Sequence, residues 1–165
     1  MITENLNKID EILNLEIEQY KNLSELYDEK ANFLSHSDTD GICAVDTKIK
    51  AQLDKIKELD AKRVTINNDF GNKDMTLSDY VKIAHDNNLA IEHNLAGKKA
   101  EIFNLAREVS NKERKNIELI NLGLKTVTKI INVIMNGAVK QSQYNSFGKN
   151  TSNDEIKISS FCEEV

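Results

Sequence analysis

The side chains able to do chemistry are few, and their spacing serves none of the usual reactions. Three histidines, His36, His85 and His93, are scattered along 165 residues. His93 follows Glu92, but the two histidines flanking a glutamate on one helical turn that hold a hydrolytic zinc do not occur. Cys43 and Cys162 lie far apart without metal-ligand company, and in a reducing compartment both read as free thiols. Gly71 and Gly97 stand alone where a phosphate cradle needs a glycine-rich loop. Serines and aspartates are plentiful, yet no nucleophile elbow is present. Acidic residues alternate with lysines in the manner of solvated helix faces. The sequence predicts no catalytic residue, no metal site and no cofactor.

The elements that carry these side chains are helical. Proline is absent, so nothing of that kind breaks a helix interior. The net charge is −5 with 30% charged residues of both signs interspersed. Phosphate neutralisation needs a basic stripe, so nucleic acid is not an expected partner. The densest apolar run, 130–135, is interrupted by Asn132 and falls far short of the roughly 20 residues that span a bilayer, which argues against membrane insertion. Acidic residues near the N-terminus do not suit a signal peptide. The expected compartment is the cytoplasm.

The periodicity predicts an all-α fold: an elongated antiparallel bundle of three long helices with a short cross-over helix and a polar C-terminal tail. The bundle should occupy 1–137, with helices at about 2–34, 42–70, 76–84 and 89–137, and 138–165 as a flexible tail. In the first helix Leu6, Leu13, Tyr20, Tyr27 and Leu34 recur every seven residues, with Ile9, Ile17 and Leu23 between them and Ile12, Leu26 and Phe33 widening the stripe. Glu16 and Lys30 interrupt it, as a broad bundle face rather than a strict zipper allows. Turn and cap residues fill 35–41, where Asp38, Thr39 or Asp40 can cap the next helix. Its seam is Ile42, Val45, Ile49, Leu53, Ile56, Leu59, Ile66 and Phe70, with Arg63 as the polar exception. A loop this short permits only an antiparallel hairpin. Thr76 or Ser78, followed by Asp79, suits a short capped helix. The last helix has the stripe Leu95, Ile102, Leu105 and Val109, and Gly97 and Gly123 mark bends or close contacts.

The informative region is 117–135. A helix packing only on its own hairpin needs one apolar stripe, here Ile117, Ile120, Leu124, Val127, Ile131 and Ile134. Leu119, Leu122, Ile130, Val133 and Met135 project elsewhere at about 100° per residue. Such a helix must be covered on more than one side. A wide internal core, a homodimer contact and a groove for a client helix all satisfy that demand. A structural coiled-coil adaptor that self-associates through this seam is the alternative from another functional class.

The chain resembles the FlgN-type flagellar export chaperones. The resemblance is carried by Lys112-Glu113-Arg114-Lys115-Asn116-Ile117-Glu118-Leu119-Ile120-Asn121-Leu122-Gly123-Leu124, which is similar to that family's asparagine-spaced run leading into an apolar helix. Tyr144-Asn145-Ser146-Phe147-Gly148 downstream and Leu23-Ser24-Glu25-Leu26-Tyr27-Asp28-Glu29-Lys30 upstream also fit. Gly123 departs from the pattern, which has leucine there, and 151–165 matches nothing in it. The resemblance implies a cytosolic, non-enzymatic chaperone of flagellar type III secretion that protects the hook–filament junction proteins FlgK and FlgL and docks on the export gate protein FlhA. It further implies that Ile117, Leu119, Ile120, Leu122, Leu124, Val127, Ile130, Ile131, Val133 and Ile134 bind the client, and that Tyr144 docks on the gate.

Overall fold

The computed structural model describes residues 2–70, 74–89 and 94–142, with side chains to 136. Four helices and no strand occur among them: α1 (Ile2–Ser35), α2 (Thr39–Asp69), α3 (Leu77–Asp86) and α4 (Leu95–Ser142). The chain divides into two compact units, Met1–Asn121 and Leu122–Val165. The expected start of the last helix at Leu89 moves to Leu95, and its end moves from 137 to Ser142.

Within the first unit α1 is the central rod. Leu6, Ile9, Leu13 and Ile17 pack with Tyr80 and Ala84 of α3 and with Leu95 and Ile102 of α4. Further along, Leu23 and Tyr27 pack with Val45 and Ile49 of α2 and Val109 of α4. These positions recur at three, four and seven residues, so one face of each helix closes on the others. Ion pairs fix the directions. Lys30 meets Asp46 at 2.6 Å, Glu29 meets Lys48 at 3.2 Å and Glu16 meets Arg63 at 3.9 Å, so α2 runs antiparallel to α1. Asp10 pairs with Lys98 at 2.5 Å, Lys21 with Glu101 at 2.8 Å and Asp28 with Lys112 at 2.7 Å, so α4 runs parallel to α1.

The joints follow from local chemistry. Asp38 caps α2 by accepting the Gly41 amide hydrogen at 3.0 Å, and Ser37 takes the left-handed conformation, φ 55°. A Cβ at Gly41 would run into the Phe33 ring, so the hairpin tip closes only because that side chain is missing. Thr76 donates to Asp79 from both its amide (2.9 Å) and its hydroxyl (2.7 Å), fixing the start of α3. These bonds hold the Asp79 carboxyl below the usual aspartate range. At its other end Asn88 is left-handed (φ 60°), and the Leu89 amide reaches the Ala84 carbonyl at 2.7 Å while that of Asn88 reaches His85 at 3.0 Å. This double closure satisfies carbonyls the helix would otherwise leave open.

The expected α2 seam shifts at one place. Leu53 is exposed, and its neighbour Gln52 is buried instead. Gln52 lies seven residues from both Val45 and Leu59, and its Nε2 donates to the Gln19 carbonyl (3.1 Å) and side-chain oxygen (2.8 Å). A satisfied amide can occupy a seam position that hydrophobicity alone assigns to a neighbour.

Along α4 the heptad Leu95, Ile102 and Val109 is continued by Asn116, which is only 3% exposed. Its Nδ2 donates to the Tyr27 carbonyl at 2.9 Å, but its buried Oδ1 has no partner. An orphaned buried acceptor destabilises by about 1–3 kcal/mol. We expect Asn116→Leu, which removes both the orphan and one hydrogen bond while adding apolar burial, to raise the unfolding free energy by about 1 kcal/mol in urea titration. A loss of stability would show that the Tyr27 bond outweighs the orphan.

Candidate functional site

Burial on α4 stops at Asn116. In the first unit Ile117, Leu119 and Ile120 are exposed, Leu119 at 36%. In the second unit Leu122, Leu124, Val127, Ile130, Ile131, Val133, Ile134 and Met135 are exposed as well, Ile130 at 54% and Val133 at 72%. The stripe Ile117, Ile120, Leu124, Val127, Ile131 and Ile134, expected to suffice for packing on the hairpin, is therefore uncovered together with the second flank. Hydrophobic periodicity specifies which residues share a face but not whether the fold supplies a neighbour for it.

Taken by itself, the helix of the second unit is apolar over most of its circumference. At about 100° per residue its large apolar residues sweep roughly 220°, leaving a narrower polar arc. That arc carries Lys125, Lys129 and Asn132, and no carboxylate lies between Leu122 and Asn136. Thr126 and Thr128 turn their hydroxyls back on the Leu122 and Leu124 carbonyls, at 3.0 and 2.9 Å, so neither holds a free donor toward solvent. Gly123 lies inside the helix with nothing within 4 Å of where its Cβ would be. The expected close contact is therefore not found among the described residues, and Gly123 lies within the range of α4. Contiguous exposed apolar surface is the kind of surface that protein and membrane binding sites present. No helix among the described residues is long and apolar enough to cross a membrane.

Titratable groups converge at one interior place, between α1, α2 and α3. Glu16, 4% exposed, faces Arg63, which also pairs with Asp60 on its own helix. Burial pushes the Glu16 carboxyl up, and the Arg63 guanidinium opposes the shift. Burial likewise raises the Tyr80 phenol, whose hydroxyl donates to Asn67 Oδ1. Of the three interruptions of the expected seams, Glu16 and Arg63 are thus partners, and Lys30 pairs with Asp46. Opposite charges at seam positions of successive helices were the signal that could have paired them. A second junction gathers Lys112, whose Nζ reaches Ser24 Oγ (2.6 Å), Asp28 (2.7 Å) and Glu108 (2.9 Å). Hydrogen bonds from Lys112 and Ser24 hold Glu108 low. Both clusters tie helices together.

His36 and His85 are exposed, as is the free thiol of Cys43. No group of three or more potential metal ligands occurs among the described residues. His93, Cys162, Tyr144 and the expected tail from 143 onward lie outside the described residues.

A family model described as FlgN protein matches residues 1–152. No curated protein and no solved structure matches the chain.

Proposed function

This chain belongs to the FlgN family of flagellar export chaperones, and we propose on that premise that it holds hook–filament junction proteins in the cytoplasm before their secretion. The observation that carries the reading is the uncovered apolar surface of α4, with Leu119, Ile130 and Val133 all exposed. An exported protein that polymerises through an amphipathic end segment must keep that segment covered until it leaves the cell. The client surface comprises the ten residues from Ile117 to Ile134 named above, and an amphipathic helix is the form of client that such a surface accepts. A micromolar complex needs about −8 kcal/mol. Several aliphatic side chains buried at about 1.5–3 kcal/mol each supply the gross gain before ordering costs. Tyr144 is the proposed contact with the export gate protein FlhA.

The test is calorimetric titration of the purified chain with FlgK and FlgL, with flagellin and the filament cap protein as comparisons. We expect micromolar or tighter binding to the junction proteins, and secretion of FlgK to fall in a Tyr144→Ala strain while client binding persists. Tighter binding to flagellin or cap protein would reassign the client. A stable oligomer at high dilution that binds none of the four would favour the self-associating adaptor.

A further inference from the structure

A second apolar surface lies wholly within the first unit and shares no residue with the one on α4 beyond Asn116. Between the first half of α3 and the start of α4 runs a groove of ≈ 790 Å³. Leu77, Val81, Ala96, Ala100, Ile102 and Phe103 line it. Small side chains are part of this lining: Ala96 and Ala100 sit one turn apart on α4, and side chains of that size let a neighbouring backbone approach closely. Phe103 is 62% exposed, a large apolar ring left facing solvent. Arg107 lies over that ring, 5.6 Å from its centroid.

The charge in the lining of this groove is of one sign. Lys82 and Lys99 are the ionisable residues in its lining, and no carboxylate lines it. Lys99 donates to Ser78 Oγ at 2.8 Å, across the groove, rather than to a carboxylate. Lys82 pairs with Asp79 of its own helix at 3.9 Å, but Asp79 also accepts from Thr76 and is not in the groove's lining. The neighbouring acid on α4, Glu101, turns to Lys21. In a chain whose net charge is −5, an apolar groove edged by lysines is a local reversal of sign that favours an acidic visitor.

We propose that this groove is a docking site for an amphipathic helix of a partner protein whose apolar face is flanked by glutamates or aspartates. A second copy of the chain is the weaker occupant. The exposed apolar helix it could offer, 122–136, carries Lys125 and Lys129 and no acid, which sets lysine against lysine. The inference stands on the groove alone and does not depend on the function proposed above.

Fluorescence anisotropy with two labelled peptides of about five helical turns tests it on the full chain. Both carry the same leucine stripe; one flanks it with glutamates and the other with lysines. We expect the glutamate peptide to bind at least about 10-fold more tightly, with the preference falling as salt rises. Lys82→Glu combined with Lys99→Glu should abolish or invert the preference. Ala100→Gln, at an exposed position, should weaken binding of the glutamate peptide by about 10-fold or more by projecting a longer side chain into the groove, with an unchanged melting temperature. Ile130→Asp should leave this binding unaltered. Failure of the glutamate peptide to bind, equal binding of the two, or indifference to Ala100→Gln or to the charge reversal would overturn the proposal. So would loss of peptide binding in Ile130→Asp, which would assign the peptide to the α4 surface, or a dimer that Ala100→Gln dissociates, which would assign the groove to self-association.

Discussion

Ile130→Asp is expected to abolish binding of the junction proteins while leaving the helix content of the chain unchanged. Ile130 is exposed in the free protein, so the substitution removes no internal packing. Its cost to the helix is that of propensity, about 0.5 kcal/mol. In the proposed complex the same position is covered by client side chains. The variant would forfeit about 1.5–3 kcal/mol of apolar burial and would bury a carboxylate without a partner, which is strongly unfavourable. Together these weaken a micromolar complex by at least about 100-fold, beyond the range of ordinary titration. Lys125→Asp, on the polar arc of the same helix, introduces the same side chain and should change affinity by about 2-fold or less. Wild-type affinity in Ile130→Asp would remove this flank from the client surface. Equal losses in the two variants would mean that charge, not burial, carries the binding.

Arg63→Ala should destabilise the first unit by about 3 kcal/mol at neutral pH, because it leaves the buried Glu16 carboxylate without its counter-charge. The loss should depend on pH in a definite direction. Burial raises the Glu16 carboxyl above its ordinary value, so between those two values the folded chain binds more protons than the unfolded chain. Stability from this group is then present at lower pH and is lost as pH rises through the raised value. Removing Arg63 removes the influence that holds the carboxyl down, and the window extends upward. The gap between variant and wild type is therefore largest at higher pH and narrows as the pH falls and Glu16 takes up its proton. Adding Glu16→Gln to Arg63→Ala should recover part of the loss and flatten the dependence. A gap that does not vary with pH would mean that Arg63 contributes through the packing of its aliphatic stem.

Much of the fold was legible because aliphatic residues at heptad spacing are the same signal in sequence and in space. Leu6, Leu13, Leu95, Ile102 and Val109 were assigned to seams and are buried. The signal fails where burial is decided by a polar partner. Gln52 displaces Leu53 because an amide on α1 receives it, and Glu16 and Arg63 are kept inside because each answers the other. Those pairings depend on the register between helices, which no single helix contains. The surface on α4 was half legible. Surplus apolar residues at Leu119, Ile130 and Val133 were evident from spacing, but the exposure of Ile117, Ile120 and Leu124 beside them was not, since periodicity is silent about what stands opposite. The groove of α3 and α4 was missed for a related reason: alanines carry little hydrophobic weight in a sequence, and their role is to be small beside something else.

The amide of Asn116 has a consequence for where α4 can stop. A rod with an aliphatic residue at every seventh place can slip along its neighbour by one repeat, about 10.5 Å, and find nearly the same contacts. Asn116 breaks that degeneracy, because it donates to the Tyr27 carbonyl and neither Val109 nor Gly123, the residues that slippage by one repeat would bring there, has a side chain able to donate. One side chain, at some expense in stability, thus works as a vernier that fixes how much of the rod is spoken for and how much remains on offer.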